Sequence, residues 1–202
     1  MPVLHRRLRA LIVSLLAAST VPALAADSPW QLRVGLSSIV ADSDPGRITP
    51  GKITINSDTG PSLNLNYFFT PNLALDVLGG LPFKHTLKLD GSAVGRTRHL
   101  PPIVSLQWHL APQAPVRPYL GLGVNYTYFF DEKLDDGSRL QLSDSWGIAG
   151  QIGVDLPLNE RWQIGADVRY ARIASDVKIN GDKVGKVDID PFVYSLTLAH
   201  RF

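Results

Sequence analysis

Residues 118–129 of this 202-residue chain read PYLGLGVNYTYF, and this stretch decides the fold. Its large apolar and aromatic side chains fall on every second position, from Leu120 through Val124 to Tyr128. Successive side chains of a β-strand point to opposite faces, so this alternation predicts a strand with one apolar and one mixed face. A helix would instead repeat its apolar residues every three or four positions.

Seven more segments show the same alternation, and no sustained helical period appears after residue 25. No apolar run in residues 26–202 approaches the roughly 18 residues that a transmembrane helix needs. We therefore predict an all-β chain. The eight predicted strands cover residues 30–38, 62–69, 73–81, 102–110, 118–129, 146–156, 162–173 and 192–202.

The connections between these strands alternate between short and long. Short turns on one rim and long polar loops on the other are typical of outer-membrane barrels, whose short turns face the periplasm. We predict an eight-stranded antiparallel transmembrane β-barrel over residues 26–202. The short connections are residues 70–72, 111–117 and 157–161, and the long ones are residues 39–60, 82–99, 130–145 and 174–191.

The first 25 residues have the three parts of a secretory signal peptide. Three arginines precede an apolar core at residues 11–18, and residues 23–25 read ALA, which suits a cleavage site. We predict cleavage before Ala26, with an uncleaved anchor as the alternative. Without these three arginines, 17 of the 20 basic residues remain against 18 acidic ones, so the net charge falls from +2 to −1. This balance predicts no nucleic-acid partner.

A soluble β-sandwich or lipocalin-like barrel would alternate in the same way, with its apolar face turned inward. Three facts favour the membrane. The chain has an export signal, its alternate face holds Arg, Asp, Asn and Gln, and all four tryptophans lie on the apolar face at strand ends. We predict that they form interfacial girdles, with Trp30, Trp108 and Trp162 at the short-turn end and Trp146 at the long-loop end.

The residues predicted to face the lumen divide by height into a charged lower part and an apolar upper part. Eight strands enclose room only for side chains or one small ligand, so buried charges there must pair. Asp167 and Arg169, near mid-height, are expected to neutralise each other or a neighbouring strand. A periplasmic polar plug is predicted from Arg33, Asp76, His109, Asp155 and Arg201, and a ligand pocket from Leu78, Ile103, Phe129, Ile173 and Val193.

Four blocks of sequence resemble the OmpW family of outer-membrane proteins: residues 99–102 (HLPP), 117–131, 144–155 and 200–202 (HRF). The similarity covers essentially the whole chain after the signal peptide. It implies a barrel in the outer membrane of a Gram-negative bacterium, with a narrow, partly hydrophobic lumen. It also implies passage of small hydrophobic molecules, as for the related alkane-uptake protein AlkL. The terminal Phe202 resembles the signal by which the assembly machinery recognises barrels.

Our leading hypothesis is passive passage of small hydrophobic solutes, with lateral exit into the membrane where Pro102 and Pro118 weaken strand pairing. The alternative is a structural or stress-adaptation barrel whose external loops act as receptors for phages or bacteriocins. Lipopolysaccharide and outer-membrane lipid are the expected surroundings. The histidines His85, His99, His109 and His200 have no spacing typical of catalysis or metal binding, so we predict no enzyme, metal or cofactor. The chain has no cysteine for a thiolate site.

Overall fold

The computed structural model describes residues 28–41, 47–48 and 51–202, so the predicted signal peptide lies outside the described residues. Within them the chain is built from strands and turns. The strands are β1 (Trp30–Val40), β2 (Arg47–Ile48), β3 (Gly51–Ile55), β4 (Asp58–Phe68), β5 (Leu73–Gly80), β6 (Phe83–Leu89), β7 (Ser92–Leu100), β8 (Ile103–His109), β9 (Arg117–Leu134), β10 (Leu140–Leu142), β11 (Ser145–Pro157), β12 (Trp162–Ala171), β13 (Ala174–Ile179), β14 (Asp182–Asp188) and β15 (Phe192–Arg201).

Eight of these strands close into the predicted antiparallel barrel. Each pairs with its neighbour in the order β1, β4, β5, β8, β9, β11, β12 and β15. The last strand returns to the first, with Gln31 opposite Arg201 and Val40 opposite Phe192. A closed sheet leaves no unpaired edge, which is the condition for a sheet to cross a lipid bilayer. No helix in the described part of the chain is long and apolar enough to span a membrane.

The long connections were expected to be loops, and here the structure differs. Most of their residues form strands that prolong the barrel wall above its upper rim, opposite the short turns. This upper extension consists of β2, β3, β6, β7, β10, β13, β14 and the end of β9. Its hairpins turn at Asp90-Gly91 and Asn180-Gly181, where both residues of each pair have positive φ. Asp-Gly and Asn-Gly are the favoured pairs for such turns, so the signal was present in the sequence.

The two faces of the barrel are sorted as the membrane hypothesis requires. Leu36 is 60% exposed and Leu122 71% exposed on the outside, whereas Arg33 and Asp76 are at most 1% exposed inside. A soluble barrel would have the opposite arrangement, with apolar residues inside and polar residues outside. The four tryptophans also lie on the outer surface, between 39% and 74% exposed.

Candidate functional site: a charged lower lumen and an apolar upper lumen

The lower lumen holds a buried ion pair between two strands, β1 and β11, that are three places apart around the barrel. Arg33 on β1 binds Asp155 on β11 through two hydrogen bonds, of 2.6 Å from Nη1 and 2.7 Å from Nη2. The third nitrogen of the guanidinium is also bonded, because Nε donates a hydrogen bond to Oδ1 of Asn66 at 3.0 Å. Such bidentate pairs are the strong form of the Arg–carboxylate contact.

A second ion pair lies beside the first. Arg169 donates to Asp76 at 2.6 Å and to Asp167 at 2.8 Å. Asp76 also accepts 3.0 Å hydrogen bonds from the side-chain amides of Asn64 and Asn66. Asn66 contacts both ion pairs, so they form one network, which we call the lumen network: Arg33, Asn64, Asn66, Asp76, Asp155, Asp167 and Arg169.

The lumen network differs in membership from the predicted plug. Arg33, Asp76 and Asp155 belong to both, but the basic partner of Asp76 is Arg169, which was expected to be part of a separate pair at mid-height. Arg201 lies at the lower rim, with its guanidinium 4.3 Å from the ring centre of Phe68. His109 stacks at 5.0 Å on Tyr119, and its buried Nε2 has no hydrogen-bond partner among the described residues.

Glycines on neighbouring strands make room for these large inward side chains. A Cβ atom at Gly165 would lie 2.7 Å from both Arg33 Nη1 and Asp155 Oδ1, and one at Gly153 would lie 2.3 Å from the Tyr119 ring. Both distances are shorter than van der Waals contact. The glycines on the wall therefore have a packing role that strand alternation alone does not reveal.

Above the lumen network the interior becomes apolar. A lower cavity, with an accessible volume of about 20 Å³, is lined by four of the five predicted pocket residues together with Ile39 and Phe83. All five predicted pocket residues are at most 7% exposed. The four that line the lower cavity are Leu78, Ile103, Ile173 and Val193.

Phe129, the fifth predicted pocket residue, lines an upper cavity inside the extension, with about 30 Å³ open to water. Ile39 borders both cavities, and the rings of Phe83 and His99 lie 6.2 Å apart between them. Most of the upper wall comes from segments that were predicted as loops, so the sequence analysis did not place them in the lumen. These residues are Ile39, Ala41, Ile55, His85, Leu87, Thr97, His99, Leu140, Leu142, Val177, Val187 and Ile189.

A wider groove of about 340 Å³ opens at the top of the extension, and we call it the mouth. It shares Leu87, Leu140 and Val177 with the upper cavity. Its volume lies in the usual range for small-molecule sites. Mouth, upper cavity and lower cavity thus follow one another along the same apolar interior.

Two histidines lie within this apolar column. His85 and His99 stack at 4.8 Å with an angle of 16° between their planes, and each is 3% exposed. Burial and, to a smaller extent, the neighbouring His85 lower the pKa of His99 from 6.5 to about 3. Burial also lowers the pKa of His85, against smaller opposing effects of the Asn56 carbonyl and Asp58. Both rings are therefore neutral at pH 7.

One gap interrupts the described barrel wall beside the lower cavity. β5 and β8 pair up to Leu78 opposite Ile103, and pairing resumes in the hairpin above at Phe83 opposite His99. Between these levels, residues 79–82 and residues 100–102 are not paired with each other, and three of them are prolines without an N–H. This window borders the lower cavity through Gly79, Gly80, Leu100 and Pro101. Pro118, by contrast, lies opposite Val154 within a continuous ladder.

The OmpW family model matches residues 29–202, which is the whole barrel. The chain belongs to the OmpW family. Outer membrane protein W of Vibrio cholerae is 34% identical over 93% of this chain and 95% of its own length. Outer membrane protein AlkL of Ectopseudomonas oleovorans is 31% identical over 78% of this chain and 72% of its own length.

Solved structures of family members agree with this fold. The outer membrane protein OprG of Pseudomonas aeruginosa superposes with a TM-score of 0.74 at 30% identity, covering 86% of this chain and 95% of that one. AlkL in lipid bilayers gives 0.71 at 27% identity, covering 90% and 94%. This OmpW-family chain is thus an outer-membrane barrel of the Gram-negative type, as predicted. Its short turns then face the periplasm and its upper extension faces outward.

Proposed function

We propose that this barrel carries small hydrophobic molecules passively from the outside into the outer membrane. The observation that supports this most directly is the apolar column above the lumen network. A barrel with only a structural role needs paired charges in its lumen, but it gains little from a mouth and two aligned apolar cavities above them. A hydrophobic solute would enter at the mouth and move down past Phe129 to the lower cavity.

We further propose that the solute leaves sideways through the window. The lumen network lies below the lower cavity, and passing it would mean separating paired buried charges, at a cost of several kcal/mol. The window offers an easier path, because residues 79–82 and 100–102 have no ladder hydrogen bonds between them to break. Both cavities are nearly closed, so passage also requires the side chains between them, Phe83 and His99, to move.

The decisive experiment compares uptake of a hydrophobic reporter by cells with and without the protein, and with charges placed in the column. Ile103→Glu puts a carboxylate into the lower cavity and Phe129→Asp puts one into the upper cavity. We expect both to reduce uptake to nearly the rate of cells lacking the protein. Ile103→Val, which keeps the wall apolar, should leave it unchanged.

Correct folding of each variant is checked by its heat-dependent mobility in gel electrophoresis. If the two charged variants fold normally and uptake is unchanged, the apolar column is not the path. If wild-type cells take up no more reporter than cells lacking the protein, the barrel has a structural or receptor role instead.

The outside of the upper extension carries a basic surface, defined by Lys84, Lys88, Arg96, Arg98 and Lys133. Two pairs of these side chains lie directly opposite each other across strands, Lys84 with Arg98 and Arg96 with Lys133. Like charges at opposite positions destabilise a sheet, and Asp131 offsets part of the repulsion with contacts of 2.8 Å to Lys133 and 3.4 Å to Arg98. We propose that lipopolysaccharide phosphates in the outer leaflet supply the remaining counter-charge.

This partner can be tested with the purified barrel in nanodiscs that contain lipid A with or without its phosphates. The double variant Arg96→Ser and Lys133→Ser should bind phosphorylated lipid A several-fold more weakly than the wild type. The control Lys178→Ser changes a basic residue on β13, outside this surface. Equal binding by all three proteins would contradict the proposal.

Phe202 is 58% exposed at the end of the last strand, with its ring edge-on to His200 at 4.9 Å. This exposure fits the proposed role of Phe202 in recognition by the assembly machinery. Phe202→Ala should then lower the amount of barrel inserted in cells and leave refolding in detergent unchanged. A defect of equal size in both assays would mean that Phe202 acts through stability alone.

A further inference from the structure

One buried nitrogen in the upper cavity has no hydrogen-bond partner among the described residues. His85 lies on β6 between the inward side chains of Phe83 and Leu87. Its Nδ1 is 2.7 Å from the carbonyl oxygen of Asn56. A carbonyl only accepts, so Nδ1 carries the proton and Nε2 of the neutral ring keeps its lone pair. This Nε2 is the buried atom without a partner.

The lone pair of His85 is directed into the cavity. Nδ1 is hydrogen-bonded to Asn56 next to the neighbouring strand β3, and Nε2 is at the far side of a ring that lines the cavity, so Nε2 extends inward. The stacked ring of His99, 4.8 Å away, restricts rotation of His85 about its side-chain bonds. The acceptor is therefore held in one direction before any ligand arrives.

The rest of the cavity wall offers little hydrogen bonding. Its polar side chains are His85, Thr97 and His99, all at one corner, and the other lining residues are apolar. Thr97 donates weakly, at 3.5 Å, to the carbonyl oxygen of Arg98. A buried acceptor without a donor is unfavourable, so a molecule that brings a donor gains more here than it would in water-exposed surroundings.

We infer that the upper cavity selects hydrophobic molecules that carry one O–H or N–H group, such as alkylphenols and alcohols, by donation to Nε2 of His85. The inference rests on the proposed function, because it concerns a solute that passes through this column. A hydrocarbon or ether of the same shape fills the cavity but leaves Nε2 unpaired. The cavity has about 30 Å³ open to water, room for one or two water molecules, so the ligand must widen it on entry.

The test uses 4-ethylphenol and 4-ethylanisole, which differ only in whether the oxygen carries a hydrogen or a methyl group. Binding is measured with the purified full barrel in nanodiscs, together with the ¹⁵N resonance of His85 Nε2. We expect the phenol, and not the ether, to shift that resonance. The wild type should favour the phenol about three- to tenfold, the usual effect of one net hydrogen bond.

His85→Asn is the matched variant, because its amide N–H can still donate to the Asn56 carbonyl while the acceptor at Nε2 is lost. We expect its phenol-to-ether ratio to fall close to one. His200→Asn makes the same change on the last strand, outside both cavities, and should retain the wild-type ratio. Comparing ratios between proteins cancels the different partitioning of the two compounds into lipid.

The inference is overturned if the wild type binds phenol and ether equally, if the ratio is unchanged in His85→Asn, or if Nε2 keeps a bound water that the phenol does not displace. The wild-type ratio and resonance decide the matter even if the variant does not fold. Equal binding of both compounds with normal uptake would refute the proposed selectivity and leave the proposed function standing. If neither compound is bound or taken up, the proposed function is refuted as well.

Discussion

At the scale of single residues, the lumen depends on pairs of side chains that are distant in sequence. Arg33 and Asp155 are separated by 122 positions and are both 1% exposed. Removing one partner of such a pair leaves the other charge buried and uncompensated, which typically costs about 3–5 kcal/mol. The space for this pair is left by Gly165, whose importance follows only from what lies opposite it.

Gly165→Ala should destabilise the barrel by about 2–4 kcal/mol, because the added methyl group would separate Arg33 from Asp155. Denaturant unfolding in lipid vesicles measures the change. Gly150→Ala on β11 is the control, since a Cβ there has no atom within 4 Å. A similar stability for the two variants would show that the ion pair adjusts without cost.

His99 should make the upper extension sensitive to acid. In the folded chain its pKa is about 3, whereas the unfolded chain binds the proton below about pH 6.5. The unfolded state therefore takes up more protons as pH falls between these values, and stability decreases by about 1.4 kcal/mol per pH unit. Above pH 6.5 this residue has no effect. The pKa of His85 is also lowered by burial, so His85 acts in the same direction, against a smaller opposing effect of Asp58.

The measurement is amide hydrogen exchange in β6 and β7 at pH 7, 5 and 4, corrected for the intrinsic effect of pH on exchange. We expect faster exchange in the extension at pH 4 and little change in the barrel strands. His99→Phe keeps an aromatic ring and should reduce this acid sensitivity. An identical response of the variant would assign the effect to other groups.

At the scale of secondary-structure elements, β5 and β8 differ from the other neighbouring pairs in the way they end. Their ladder covers six residue pairs and then meets the window, whereas β9 and β11 pair over eleven. The window follows from the local sequence, because Gly79-Gly80 on one side have no side chains to cover it and Pro101-Pro102 on the other have no N–H to donate across it.

Gly79→Phe tests the window as an exit. A side chain there meets no atom within 4 Å and should lie over the gap on the lipid side. We expect uptake of the hydrophobic reporter to fall several-fold with the barrel still folded. Gly150→Phe adds the same ring at an equally open lipid-facing site on β11, away from the window, and should have no effect. Equal uptake by both variants would exclude exit by this route.

The hairpins of the extension carry both turn and alternation signals in their sequence. The many polar residues of 82–99 and 174–191 favour loops, yet Asp90-Gly91 and Asn180-Gly181 mark tight hairpins. Alternation is present there too, with Phe83, His85 and Leu87 on one face. Their inward direction depends on closure of the extension around them, which a pattern within one hairpin does not contain.

At the scale of the whole molecule, charge and hydropathy are arranged along the barrel axis. The lumen network fills the interior below, the two cavities lie above it, and the mouth opens at the top. This order makes the interior suitable for hydrophobic solutes entering from outside and unsuitable for ions crossing to the periplasm. We expect planar-bilayer recordings of the wild type to show no steady conductance.

Arg169→Met should test that seal. It removes one basic residue from the lumen network and leaves Asp76 and Asp167 without their ion-pair partner. Water can then solvate these carboxylates, and cation conductance should appear. The double variant Arg33→Met and Asp155→Leu removes one ion pair as a unit and leaves no charge of that pair unpaired, so a smaller conductance is expected. No conductance in the single variant would mean that packing, rather than charge pairing, closes the lumen.

The sequence by itself determined the barrel. Alternation fixes which side chains share a face, and eight alternating segments with alternately short and long connections predict an antiparallel barrel. The export signal, the polar alternate face and the tryptophans at strand ends then place the apolar face outside. Once the apolar face is assigned to the lipid, the period of two also identifies the inward residues of the transmembrane strands. Only the tertiary structure decided that Asp76 pairs with Arg169, that Phe83 and His99 meet between the cavities, and that His85 keeps a free lone pair. These contacts join strands that closure of the barrel brings together, and a period within one strand carries no information about the residue across the lumen.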